Sequence, residues 1–315
     1  MDRIKYDEFG LFHENAQEFG IPFDGPPKVR RKTVALPDGR GLSALLWGDR
    51  APEVVFLHGG AQNAHTWDTV ALALGRSVMC IDLPGHGHSG PPRSSAVSID
   101  ENAADVALAI QLLAPAAVAV VGMSLGGITT LALASAAPQL VRRVVLVDVT
   151  PGVNPAKSAA ISNFIDGPDS FPSFEGLLAR TIEHNPTRTV ASLRRGILHN
   201  AMQRDDGSWV WRYARFPKAA TPVGSPPLSP KAGFPRFSHL WDAISNLTVP
   251  TMLVRGMRPQ SVVDDDDEAE LLRRLPTATV VHVDEAGHSV QGDTPVELAA
   301  IIADFISLPT KTGEH

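Results

Sequence analysis

The chain has 315 residues, 43% of them hydrophobic and 20% charged, which suits a folded protein with a sizeable core and excludes a disordered or fibrous one. Its 34 acidic residues outnumber the 28 basic ones to give a net charge of −6, so no overall basic field draws in nucleic acid or an anionic membrane. The single cysteine, Cys80, lies in an apolar run and reads as a core residue, which excludes an internal disulfide and a thiolate metal cluster.

In chain order, the opening MDRIKYDEFG lacks the apolar block of a secretory signal. No later run reaches the length of a membrane span, so a cytoplasmic location is expected. Residues 1–27 are polar, end in Pro26-Pro27 and read as a loosely attached arm. RRKTVAL, a turn at Pro37-Asp38-Gly39 and GLSALLW predict a hairpin. The short runs EVVFL, SVMCID, AVAVVG and RVVLVD then alternate with helical stretches such as Ser98 to Leu113 and Leu125 to Ala136. Runs apolar on both faces are what buried parallel strands covered by helices require.

The alternation stops at Pro151 and resumes at Pro250. Between them stand a basic helix around Leu193 to His199, a turn at Asp205-Asp206-Gly207, the aromatic run SWVWRY and a Pro-rich stretch from Pro217 to Pro235. Residues 151–245 are expected to be an inserted lid that roofs a pocket, with Trp209 and Trp211 either facing substrate or packing on the main domain. The core is then 28–150 and 246–308, with a tail at 309–315. After Pro250 come a strand at TMLVRG, a helix from Asp264 to Arg274, a strand at ATVVHVD and a helix from Pro295 to Phe305. The acids Asp264 to Asp267 sit at that helix's positive end, which explains them without a metal.

VVGMSLGG places an apolar strand before Gly122-Met123-Ser124-Leu125-Gly126 and a helix-forming stretch after it. Three fixed letters alone arise by chance in roughly one chain in ten of this size, so the strand-before, helix-after context carries the inference. A sharp turn there exposes the Ser124 hydroxyl and leaves no room for side chains at Gly122 and Gly126. A serine needs a base and two N–H donors for the oxyanion. His58-Gly59-Gly60 ends a strand, and Gly60, with Ala61 behind it, is expected to donate beside Leu125. Among 11 histidines, His288 in DEAGHSV follows the last strand, on the sheet edge where the elbow lies, and is the expected base. His86 and His88 read as structural, and His58 and His65 as shaping the oxyanion loop. His184 and His199, in the insertion, read as surface residues within possible reach of substrate.

In order and spacing, HGG, DLPGHGHS, GMSLGG and AGHS resemble the α/β-hydrolase superfamily over about residues 30 to 308. The resemblance implies an α/β fold with an eight-stranded, mostly parallel sheet flanked by helices, a helical cap after the sixth strand, and a Ser–acid–His triad that needs no cofactor and no metal. A serine nucleophile argues against the dehalogenase and epoxide hydrolase branches, which use aspartate. The chain departs from the family in one place. The acid ordinarily follows the seventh strand, but after Gly256 the sequence reads MRPQSVV and offers no carboxylate before Asp264. A smaller set of members carries the acid after the sixth strand, where LVDVTP supplies Asp148. The triad expected is therefore Ser124, Asp148 and His288, with Asp264 or Asp265 as the rival acid. The expected activity is hydrolysis of a small or medium ester or lactone by a monomer or homodimer with no nucleic-acid or membrane partner. A carbon–carbon bond hydrolase or perhydrolase, and a non-catalytic small-molecule receptor, remain alternatives.

Overall fold

A computed structural model describes residues 4–94, 98–153, 156–214, 237 and 239–309. The N-terminal segment forms α1 (Phe12–Phe19). Then come β1 (Val29–Ala35), β2 (Gly41–Trp47), β3 (Val54–Leu57), α2 (Asp68–Leu74), β4 (Val78–Ile81), α3 (Ile99–Leu113), β5 (Ala119–Met123), α4 (Leu125–Ala136) and β6 (Val144–Val147). The insertion holds α5 (Ala159–Ile165), α6 (Phe174–His184), α7 (Val190–Asn200), a hairpin of β7 (Ala201–Gln203) and β8 (Trp209–Trp211), and α8 (Leu240–Ser245). The chain ends with β9 (Thr251–Gly256), α9 (Asp265–Arg274), β10 (Thr279–Val283), α10 (Val290–Asp293) and α11 (Pro295–Ser307). The Pro-rich stretch from Pro217 to Pro235 lies outside the described residues.

Among the described residues, eight strands form one sheet in the order β1-β2-β4-β3-β5-β6-β9-β10. β1 and β2 pair antiparallel, as does β2 with β4, and every later pairing is parallel. The sheet is thus the expected eight-stranded, mostly parallel one, flanked by helices. All four residues of β3, β4 and β6 are buried, because helices cover both faces. On one face α3 and α4 pack over Leu57, Ile81 and Leu146, and on the other α2 and α11 pack over Phe56, Cys80 and Val145. Cys80 is the buried core residue its sequence context predicts. The expected helix at Asp264 starts with Asp264 as its cap, whose carboxylate accepts from the Asp267 N–H while Asp267 reaches back to the Asp264 N–H.

The N-terminal segment is not the loose arm expected. Phe12 is 2% exposed and packs on Trp47 with ring centroids 4.9 Å apart. Burying one such side chain stabilises by about 1.5–3 kcal/mol, enough to hold a short helix in place. Polar ties add to it: Glu8 pairs with Arg31 and, at 3.2 Å, with His65, and the Glu18 carboxylate pairs with Arg195 of α7. The segment looked polar because its apolar residues, Phe9, Phe12 and Ala16, are spaced at helical intervals among charges that find partners only in the fold.

These ties predict a pH dependence. Burial disfavours a charged His65 ring, but the Asp68 charge and the hydrogen bonds the ring donates to Asp68 and Glu8 outweigh it and raise the pKa to about 9. A raised histidine pKa contributes stability that is fully present below the unfolded value, about 6.5, and lost as pH rises through 9. The midpoint of thermal unfolding is therefore expected to fall between pH 7 and pH 10. His65→Gln should flatten that slope, and an equal slope in the variant would refute the assignment.

Candidate active site

The chain leaves β5 at Met123 and enters α4 at Leu125, so Ser124 alone must make the turn, and it does so at φ 51°, ψ −117°. Backbone of this kind costs about 1–3 kcal/mol and persists where its surroundings enforce it. Here they do. A Cβ on Gly122 would lie 2.4 Å from the Gly126 carbonyl oxygen, and one on Gly126 would lie 2.2 Å from that of Leu57. The two glycines are thus needed for close approach, as the sequence predicts.

Asp148 follows β6 as Ser124 follows β5, also at positive φ, 47°. Its side chain is fully buried. One oxygen accepts from Gly256 N at 3.0 Å and Ser261 Oγ at 2.6 Å. The other accepts from Val262 N at 3.0 Å and His288 Nδ1 at 2.9 Å. Four donors on one carboxylate hold it in place and aim it at the imidazole. The rival acids point elsewhere. Asp264 and Asp267 both hold Lys157, and Asp265 pairs with Arg255 while 94% exposed. Ser124 and His288 line one pocket of about 490 Å³ and make no hydrogen bond to each other; catalytic contacts of this kind commonly tighten only around substrate.

Gly59 lies against Ser124, for a Cβ there would sit 3.3 Å from the Ser124 Cβ. The Ala61 N–H is spent on His86 Nε2 at 3.2 Å. Among the described residues the N–H groups of Gly60 and Leu125 make no hydrogen bond, and Leu125 opens α4, where the helix dipole is positive. His58 ties the loop down, accepting from Leu83 N at 2.9 Å, and burial holds its pKa down to about 3, so it is neutral. His58 thus shapes the loop, as expected, and His86, read from the sequence as structural, also ties it through the Ala61 N–H.

The insertion supplies the opposite wall through α5, whose Ile161, Phe164 and Ile165 share one face and stay only half buried, and through Arg188. Its aromatic run does not line this pocket, although Trp211 backs Phe164 edge-on with centroids 5.6 Å apart. Trp209 packs on Phe174 at 5.1 Å between centroids, and Trp211 lines a second cavity of about 190 Å³. Neither α5 nor Arg188 stood out in the sequence; a half-apolar helix is recognisable as a wall only once its partner is known. His184 lines the main pocket. His199, expected at the surface, is buried: it stacks on His65 with centroids 3.8 Å apart and takes a hydrogen bond from Tyr6 Oη at Nδ1, 2.7 Å.

Among the described residues only His65, Asp68 and His199 bring three possible metal ligands within 4.8 Å of one another. The two rings lie 13° from parallel, so their in-plane lone pairs cannot converge on one ion, and His65 already spends both nitrogens on Asp68 and Glu8.

Comparison with known proteins agrees with this architecture. The profile of the Alpha/beta hydrolase family matches residues 54–301. The chain is 43% identical to "Esterase Rv0045c" of Mycobacterium tuberculosis over 304 residues, 94% of each chain. A crystal structure of that esterase superposes with a TM-score of 0.80 at 41% identity, covering 98% of this chain and 100% of the other. A more distant relative is "sn-1-specific diacylglycerol lipase ABHD11" of Danio rerio, 26% identical over 82% of this chain and 79% of that one. No described helix is long and apolar enough to cross a membrane.

Proposed function

The chain belongs to the α/β-hydrolase family and is a carboxylic ester hydrolase, and on that premise we propose that Ser124, His288 and Asp148 are its catalytic triad, with Gly60 and Leu125 as the oxyanion hole. The observation that carries this is the His288 Nδ1 to Asp148 Oδ2 hydrogen bond of 2.9 Å in the wall of the pocket onto which the Ser124 turn opens.

The steps follow from these positions. Ser124 Oγ attacks the ester carbonyl carbon while His288 Nε2 takes its proton, and Asp148 stabilises the resulting imidazolium and holds its tautomer. The oxyanion accepts from the Gly60 and Leu125 N–H groups, which are not committed to another acceptor among the described residues. Collapse breaks the bond to the alcohol oxygen, which leaves with the proton from His288. Water then attacks the acyl-Ser124 ester, His288 accepts its proton, and the acid departs as Ser124 is regenerated.

The described part of residues 151–245 is the cap, and its α5 face sets the preference for small or medium acyl groups. A cavity of 490 Å³ suits a ligand of that size. Phe164→Ala is expected to raise kcat/KM for an octanoate ester relative to an acetate ester by on the order of tenfold, since a methylene's worth of fit is about 1–3 kcal/mol. Equal effects on both esters would remove α5 from the specificity argument.

The test of the function itself is hydrolysis of 4-nitrophenyl butyrate with a burst of nitrophenol, and covalent labelling of Ser124 by a fluorophosphonate. An intact protein that neither turns over nor labels refutes the reading and leaves a binding protein.

A further inference from the structure

We propose that Arg188 forms an anion-binding subsite in the active pocket, so that the preferred substrates are esters bearing a carboxylate a few bonds from the scissile carbonyl. The proposal rests on the esterase reading and adds the substrate class.

Arg188 lies in the loop between α6 and α7 and lines the same pocket as Ser124 and His288. Its guanidinium reaches across from the insertion to the core: a Cβ on Gly292, four residues beyond His288, would lie 2.1 Å from Arg188 Nη1. The cation is therefore held beside the helix that follows the base.

Among the described residues Arg188 has no carboxylate within ion-pair distance. Its neighbours do. Lys157, in the same pocket, holds Asp264 and Asp267, and Arg195 holds Glu18. Among the described residues the Arg188 guanidinium donates only to the neutral Ser192 hydroxyl. Asp293 lines the pocket too, but its carboxylate accepts from Gly287 N at 2.9 Å and attracts Arg188 only from beyond contact. Burial works against the charged guanidinium and lowers its pKa, the cost that an arriving anion relieves.

A guanidinium carries five N–H donors in a rigid fork, and its fit to carboxylate is bidentate. One donor is spent on Ser192. Among the buried polar atoms left without a partner none belongs to Arg188, so its uncommitted N–H groups open onto accessible space. A purely structural strut between insertion and core would instead have its donors satisfied by the protein.

The experiment compares matched esters: 4-nitrophenyl pentanoate against the mono-4-nitrophenyl ester of glutaric acid, and phenyl butyrate against 4-(butyryloxy)benzoate. The first pair carries the carboxylate on the acid portion, the second on the alcohol portion. Wild type is expected to prefer the charged member of at least one pair. In Arg188→Gln that preference should fall by roughly ten- to a hundredfold in kcat/KM, mostly through KM, with the neutral esters changed by less than about threefold. Arg188→Lys should recover part of the loss, since it restores charge without the fork. Because Arg188 also touches Ser192 and Gly292, calorimetric binding of glutarate gives a readout independent of turnover: Ser124→Ala should bind it and Ser124→Ala/Arg188→Gln should not. Parallel loss on charged and neutral esters, no preference in either pair, or glutarate binding that ignores Arg188 overturns the proposal. Failure of wild type on every ester, with labelling lost, would count instead against the esterase reading.

Discussion

Ser124→Ala is expected to lower kcat for 4-nitrophenyl butyrate by a factor on the order of 10⁴–10⁶ and to abolish fluorophosphonate labelling, while the protein stays folded. The size follows from non-additivity. Without the attacking oxygen His288 has no proton to move, so losing the serine costs about as much as losing the whole triad, and only the oxyanion donors and binding still act on water. The fold should tolerate the change because alanine keeps the same Cβ at the same strained φ of 51°, and the hydroxyl makes no hydrogen bond among the described residues. Labelling that survives the substitution would place the nucleophile elsewhere.

Asp148→Asn is expected to cost on the order of 10³–10⁴ in kcat, because His288 loses both its tautomer preference and the counter-charge for its imidazolium. The structure adds a second expectation. Both carboxylate oxygens accept hydrogen bonds, from Gly256 N and Ser261 Oγ on one side and from Val262 N and His288 Nδ1 on the other. Whichever way the asparagine turns, its NH₂ meets a backbone N–H. A destabilisation of about 1–3 kcal/mol should therefore accompany the loss of activity. Thermal unfolding and kcat measured on the same preparation separate the two effects. The control is Asp264→Asn combined with Asp265→Asn, expected to lose less than about tenfold in kcat, since these residues cap α9 and hold Lys157 and Arg255. If the control loses the greater activity, the orienting acid lies after β9 and the role given to Asp148 is wrong.

The features legible from sequence were those whose physics is local. Gly122 and Gly126 announce the turn at Ser124 because the glycines that permit it stand two residues to either side. The apolar runs from Val54 to Val147 announce buried strands because both faces must be covered. Parallel strands, in turn, bring the loops after β3, β5, β6 and β10 to one edge, which groups Gly60, Ser124, Asp148 and His288 from the sequence alone. Asp148 stands at that edge directly after a strand and Asp264 does not, while the sequence after Gly256 carries no acid in the place the family ordinarily uses. In that place the segment after β9 supplies donors, Gly256 N, Ser261 Oγ and Val262 N, to the Asp148 carboxylate.

What only the tertiary structure decided depends on partners far apart in sequence. The segment before Val29 read as a loose arm because Glu8, Glu18 and Phe12 meet Arg31, Arg195 and Trp47 only after folding. His199 read as a surface residue because its stacking partner, His65, is far away in the sequence. The pocket wall fell to Phe164 and Arg188 rather than to Trp209 and Trp211, since the way a helix or hairpin turns in an insertion is set by packing and leaves no periodic mark. A turn or a strand is dictated by steric limits and burial over a few residues, whereas the company a charge or a ring keeps is a long-range property of the fold.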